Sequence, residues 1–174
     1  MTTVSIRAAN PADIPAITRI YDHAVRHGTA SFEIAPPDEA EMARRYRSLL
    51  DGGYPYFLAE LNGAVAGYAY AGPYRARPAY RWTVEDSIYI DPSAYRRGIG
   101  RALLDRLIAE STGRGFRQMI AVIGDSAQTA SIELHRTAGF RLVGSIENVG
   151  FKFGRWIDSV IMQRALGAGA ATAP

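Results

Sequence analysis

The 174-residue chain contains no cysteine. Disulfides, thiolate-ligated metals and a cysteine nucleophile are therefore excluded. Histidine is scarce, and His23, His27 and His135 are too scattered to suggest a metal site, so no metal is expected. No apolar run approaches the roughly 18 residues of a membrane helix. The N-terminus shows no apolar signal segment, so a cytoplasmic protein without a membrane partner is expected. Long basic runs are also missing. Twenty basic against 17 acidic residues leave a net charge of +3, which gives no stripe for nucleic acid but suits an anionic small ligand. Low complexity is confined to Gly167–Pro174, expected to be a flexible tail behind a single domain of residues 1–166.

What is present reads as alternating strands and helices. Val4, Ile6 and Ala8 alternate with polar neighbours, as in a strand. Asn10-Pro11 caps a helix whose face is Ile14, Ile17, Ile20, Tyr21 and Val25, with Pro15 bending or delaying its start. A polar and aromatic link, residues 29–33, precedes a second helix with Met42, Tyr46, Leu49 and Leu50 on one side. Residues 56–61 and 64–71 are strand-like runs joined by Asn62-Gly63, a strong hairpin signal. Later come a strand at 118–122, a short helix at 129–138 closed by Gly139, and strands at 140–146 and 156–163. A glycine-punctuated segment, Val149 to Arg155, separates those last two. Hairpins in the first half and crossovers in the second predict an α/β layered domain with a mixed sheet.

The chain is organised around residues 81–104. Val84, Ile88, Tyr89 and Ile90 read as a strand stopped by Asp91-Pro92. The basic loop Arg96-Arg97-Gly98-Ile99-Gly100-Arg101 then enters a helix marked by Ile99, Leu103 and Leu107. Strand, glycine loop and helix together hold phosphate. Glycines let backbone N–H groups converge, and a helix N-terminus carries about half a positive charge. A Walker loop would end in Gly-Lys-Ser/Thr, and this one ends Gly-Arg-Ala. A dinucleotide fingerprint needs a third glycine where Leu103 stands. The pattern that fits is R-x-x-G-x-A over residues 97–102.

That loop resembles the acetyl-CoA pyrophosphate loop of the GNAT N-acetyltransferases. The resemblance extends from Arg7 to Gln163 and is closest to the group acting on phosphinothricin, methionine sulfone and methionine sulfoximine. It rests on AGPYRAR at 71–77, WTVEDSIYI at 82–90, SIELH at 131–135 with Gly139-Phe140, and GFKFGRW at 150–156. It implies the GNAT acyl-CoA N-acyltransferase fold, a mixed central sheet flanked by helices. It implies acetyl-CoA as co-substrate, a small amino-acid acceptor and a homodimer.

It also implies roles for particular residues. The loop from Arg96 to Arg101 would hold the pyrophosphate, the backbone of Ile88, Tyr89 and Ile90 the pantetheine arm, and Gln128 the cofactor from the next loop. Glu85 matches the family's base, and its neighbour Asp86 points to the opposite face of the strand. An α-amine with a pKa near 8 needs such a base. Arg75, Arg77 and Tyr80 would bind the acceptor, since paired anions favour the arginine fork, and Phe32 would line the pocket. His135 stands where many relatives have a tyrosine that protonates the departing thiolate; a packed helix histidine is the other reading. Lys152 and Arg155 would line a neighbouring subunit's pocket or solvate a turn. A protein N-terminus or another amine as acceptor, and a non-catalytic acyl-CoA-binding module, remain open here.

Overall fold

A computed structural model describes residues 4–174. Among them are seven strands and four α-helices: β1 (Val4–Ala8), α1 (Ile14–His27), α2 (Glu39–Asp51), β2 (Tyr56–Leu61), β3 (Ala64–Pro73), β4 (Thr83–Ile90), α3 (Ile99–Gly113), β5 (Gln118–Gly124), α4 (Thr129–Thr137), β6 (Arg141–Lys152) and β7 (Arg155–Ala165). The strands form one sheet in the order β1-β2-β3-β4-β5-β7-β6. β4 and β5 pair in parallel and the other neighbours pair antiparallel, so the expected mixed sheet is observed.

The sheet has a core on each face. On one, Leu103, Leu104 and Leu107 of α3 pack with Val84 and Met119. On the other, Ile17, Ile20 and Tyr21 of α1 and Met42 and Tyr46 of α2 cover Tyr56, Leu58 and Tyr68. Tyrosines dominate this second core. Tyr56, Tyr68 and Tyr89 stack across three adjacent strands at ring separations of 5.8 and 5.3 Å. Cross-strand aromatic pairs of this kind hold register as well as burying area.

Three readings of the sequence need correction. The first helix begins at Ile14, not after Asn10. The Asn10 side chain accepts from the Ala12 amide, the Asp13 carboxylate accepts from the Asn10 amide, and a 3-10 turn closes ahead of the helix. Pro15 then sits in the first turn, where its missing N–H costs nothing. Leu50 points outward. The segment from Val149 to Arg155 is no loop: β6 runs on to Lys152 and turns through Phe153-Gly154 (φ +53° and +73°) into β7. Gly150 closes a bulge from Ile146 inside the strand instead of ending it, and a second bulge lies at Leu142/Gly144. The Asn62-Gly63 turn is found as read, with φ of +52° and +82°. After the buried Leu166, residues of the tail accept hydrogen bonds from Arg117 at Gly169, Thr172 and Ala173.

Arg7 ties the first strand to this frame. Its guanidinium grips Asp13 through two bonds of 2.7 Å and Glu60 through one of 2.8 Å. The bond from Arg7 holds the buried Asp13 carboxylate below the usual range, against the opposing effect of burial. A depressed carboxylate stabilises the fold above its ordinary pKa and loses that contribution as pH falls. Asp13→Ala is expected to lower stability by about 2 kcal/mol at pH 7, or about 4–8 °C in Tm, with the gap narrowing below pH 4. Calorimetry at pH 7 and pH 3.5 checks this, and an equal gap at both would remove the ion pair as its cause.

Candidate active site

β4 and β5 are in register only from Thr83↔Gln118 to Asp86↔Ala121. Beyond that point β4 stays with β3 as far as Ile90, while β5 stays with β7 as far as Gly124. The two parallel strands therefore part, and a cleft opens between Ser87–Ile90 and residues 122–124. Crevices at the carboxyl ends of parallel strands are the usual ligand sites of α/β sheets. Here the two strands lead into α3 and α4, whose N-termini rim the same end.

The α3 end is built to receive an anion. Arg96 and Gly98 both take positive φ, +60° and +77°. The helix has no side-chain cap, and its first bond runs from the Ala102 amide to the Gly98 carbonyl. The amides of Ile99, Gly100 and Arg101 thus precede any helical acceptor and are offered outward with the helix dipole. The Ile99 side chain, 1% exposed, anchors the loop in the core. Arg96 and Arg97 are exposed beside it. The Arg101 side chain does not join them, because it turns along the helix to Asp105 (2.8 Å) and the Thr137 carbonyl (3.2 Å). Gln128, at the start of α4, donates to the Thr29 hydroxyl at 3.1 Å, so its amide is tied to the 28–33 link.

The other side of β4 faces α2. Glu85 and Ser87 point there and, with Tyr70 of β3, line a cavity of about 590 Å³ walled by Arg45, Ser48 and Leu49. A second cavity of about 360 Å³, between the starts of α1 and α2, holds none of the candidate residues. Burial pushes the Glu85 carboxyl up to about 7; neighbouring Asp86 adds to the shift and Arg75 opposes it. A carboxyl titrating near neutrality in a cavity can exchange protons with a bound group at working pH.

The arginines around this cavity differ in availability. Arg45 is held by Glu33 (2.6 Å) and Glu41 (2.7 Å), and Arg44 also pairs with Glu41. Arg75 and Arg77 have no carboxylate partner among the described residues, so their charge is open to a ligand. The Arg75 guanidinium lies over the Tyr74 ring at 5.0 Å, and Tyr74 meets Tyr80 edge-on at 5.7 Å. Phe32 is seated against two glycines. A Cβ on Gly124 or Gly150 would come within 2.8 or 2.6 Å of its ring. Its link is pinned by Lys152, the chain's single lysine, which donates to the Gly28 and Ser31 carbonyls at 2.8 and 2.7 Å. Arg155 pairs with Asp125. Lys152 is thus a buried support of this chain and not a solvated turn residue, while Arg155 stays exposed at the turn and braces Asp125.

His135 is enclosed on α4. Its Nδ1 faces the Ser131 carbonyl at 2.7 Å and its Nε2 faces Asp86 Oδ2 at 2.9 Å. Burial works against its charge, but Asp86 and Ser131 outweigh this and the net shift is upward. Both ring nitrogens are engaged, as the reading of His135 as a packed helix histidine expects.

Sequence reasoning missed Tyr70, Ser87 and the Glu33–Arg45 bridge. Ser87 was accessible, two residues beyond Glu85 on the same face. The α2 wall was not, because it depends on how that helix crosses the sheet.

Comparison with known proteins bears on this geometry. The family model described as an acetyltransferase (GNAT) domain matches residues 6–161. A phosphinothricin N-acetyltransferase of Alcaligenes faecalis is 55% identical over 170 residues, spanning 98% of this chain and 86% of its own. The L-methionine sulfoximine/L-methionine sulfone acetyltransferase of Salmonella typhimurium is 42% identical over 97% of this chain and 98% of its own. The crystal structure of a GNAT superfamily phosphinothricin acetyltransferase from Sinorhizobium meliloti, in complex with AcCoA, superposes with a TM-score of 0.96 at 52% identity, covering 99% of this chain and 93% of that one. An open parallel-strand cleft, an uncapped glycine-loop helix and matches over nearly the whole length lead to one conclusion: the chain belongs to the GNAT acetyltransferase family.

Proposed function

We infer that this chain is an acetyl-CoA-dependent N-acetyltransferase acting on the α-amine of small anionic amino acids or their analogues, phosphinothricin, methionine sulfone and methionine sulfoximine among them. The observation that carries the mechanism is Glu85, a carboxyl titrating near 7 on the floor of a cavity next to the strand cleft. Acetyl-CoA fits the residues present. The free amides of Ile99 to Arg101, with Arg96 and Arg97, suit a pyrophosphate. The edge of β4 over Ile88, Tyr89 and Ile90, paired with β3 but left without a β5 partner, suits the amides of a pantetheine arm, and Gln128 stands at the rim.

Acetyl-CoA supplies a thioester carbonyl as electrophile. On the acceptor side, Arg75 and Arg77 hold the carboxylate and a side-chain anion, while Tyr80 and Phe32 border the pocket. Glu85 takes a proton from the ammonium group directly or through one water. The neutral nitrogen attacks the carbonyl, a C–N bond forms and the C–S bond breaks; the proton the nitrogen sheds as it becomes an amide passes to the departing sulfur, and CoA leaves as the thiol. Attack on the thioester is direct, there being no cysteine to carry an acetyl-enzyme. The catalytic unit is residues 1–166, and the tail takes no part.

Assay of CoA thiol release tests this reading with phosphinothricin, methionine sulfone, methionine sulfoximine, common amino acids and a short peptide. Turnover on the first three supports it. Turnover on the peptide alone would move the function to protein acetylation. Acetyl-CoA binding with no turnover on any amine would leave a cofactor-binding module.

Two finer features belong to the same reading. We propose a homodimer closed by the outer face of β6. This strand is the sheet's edge, yet it exposes Leu142, Val143, Ile146, Val149 and Phe151 at half or more of their surface. An apolar edge of that size needs a cover. Sedimentation at micromolar concentration is expected to give two chains per particle, and a monomer mass would remove the proposal. We also propose a cytoplasmic location; among the described residues no helix is long and apolar enough to cross a membrane.

A further inference from the structure

Asp86 occupies a singular position on β4. It is the last residue in register with β5, so it stands at the apex where the cleft begins. Its side chain is 2% exposed and points away from Glu85, toward α4. There its Oδ2 meets His135 Nε2 at 2.9 Å. The other ring nitrogen faces the Ser131 carbonyl. A carbonyl only accepts, so Nδ1 carries a proton, and Nε2 against a carboxylate carries the second. The imidazole is also fixed by Phe140, edge-on at 5.0 Å. Asp86 Oδ1 is buried and has no partner. Because α4 follows β5, this bond links the two sides of the cleft just where the backbone ladder between them stops.

Building on the acetyl-transfer reading, we propose that Asp86 and His135 are a positioning pair: a buried bridge that fixes the apex of the β4–β5 cleft and the placement of Glu85, in place of a histidine that protonates the departing thiolate. Removing one partner leaves the other buried without its counter-charge, whereas removing both leaves no such orphan. The effects of single and double variants are therefore not additive.

The charges around each group are few. Asp86 is the titratable group of β4 that faces His135. Glu133 and Arg136 of α4 pair with each other at the surface, while Arg101 and Arg164 bond to carbonyls at the end of α4. Glu85 has Asp86 behind it and Arg75 before it; Tyr70, Glu41, Arg44 and Arg45 border its cavity. Loss of Asp86 therefore removes a negative charge beside Glu85.

The test combines ring ¹⁵N NMR, acetyl-CoA affinity and pH–rate profiles for the wild type, Asp86→Asn, His135→Gln, His135→Ala and the Asp86→Asn/His135→Ala double variant. In the wild type, His135 is expected to keep both ring protons above the ordinary histidine range of about 6.5, and in Asp86→Asn to titrate below it. Asp86→Asn and His135→Ala should each weaken acetyl-CoA at least tenfold, and the double variant no further. Asp86→Asn should also move the acid limb of kcat/KM to lower pH. His135→Gln, which still donates to Asp86, should fold, retain most of the affinity and keep the basic limb.

Loss of the basic limb in His135→Gln with affinity intact would overturn the proposal and return His135 to the role of acid. An ordinary or low His135 titration in the wild type would overturn it too. The NMR and affinity measurements need no acceptor amine, so they report even if the acceptor panel is silent.

Discussion

Replacing Glu85 with glutamine is expected to lower turnover by about a hundredfold or more while leaving acetyl-CoA affinity within a factor of two to three. Glutamine keeps the shape and the hydrogen-bonding oxygen but cannot accept the ammonium proton. The wild-type enzyme should lose activity as pH falls through about 7, where Glu85 becomes protonated. The variant should lack that limb and retain only the limb of the substrate amine, whose own pKa lies near 8 or above. Arg75→Ala should move the Glu85 limb upward, because Arg75 is the cation that opposes the shift. Stability should move the other way. A carboxyl whose pKa is raised by folding favours the fold when protonated and opposes it once ionised. Glu85→Gln should therefore melt higher than the wild type at pH 8, with the difference gone near pH 5. Equal turnover across pH in both proteins would remove Glu85 from the chemistry.

Replacing Gly98 with valine is expected to cut acetyl-CoA affinity about tenfold to thirtyfold with little change in Tm. The space around Gly98 is open, so a side chain there meets nothing. The obstacle is the backbone, held at φ +77°. A left-handed conformation costs an ordinary L-residue about 1–2 kcal/mol, and a β-branched one resists it most. The variant loop relaxes, and its amides converge on the pyrophosphate only by regaining that strain on binding. Gly98→Asn, which tolerates this conformation, should bind nearly as the wild type does. An equal loss in both variants, by titration calorimetry, would mean that side-chain bulk and not backbone geometry is at work.

The part of this molecule governed by local rules could be read from its residues. The Asn62-Gly63 hairpin, the strand that carries Glu85 and the glycine loop before α3 each follow from residue types at fixed spacings. Alternation on β4 was enough to separate Glu85 from Asp86. What escaped depends on contacts between distant segments. Gly150 reads as a break because a bulge and a strand end have the same local signature; only pairing with β7 tells them apart. Lys152 and Arg155 read as free cations because their acceptors, the Gly28 and Ser31 carbonyls and Asp125, lie far away in sequence. For His135 the resemblance offers an acid and the helix a packed histidine, and its partner Asp86 lies 49 residues earlier, beyond the reach of local rules. Arg101 fits the phosphate motif by spacing, yet an i,i+4 partner, Asp105, takes its side chain.

The reaction at issue is transfer of acetyl from the CoA thioester to an α-amine with Glu85 as base. Its most direct test is to incubate the protein with carbonyl-labelled acetyl-CoA and phosphinothricin at pH 8 and identify the products by mass spectrometry. One labelled acetyl on the α-nitrogen is expected for each free CoA formed, with Glu85→Gln slowing both together. Free CoA and labelled acetate without an acetylated amine, or unchanged acetyl-CoA in the presence of a protein that binds it, would rule this reaction out.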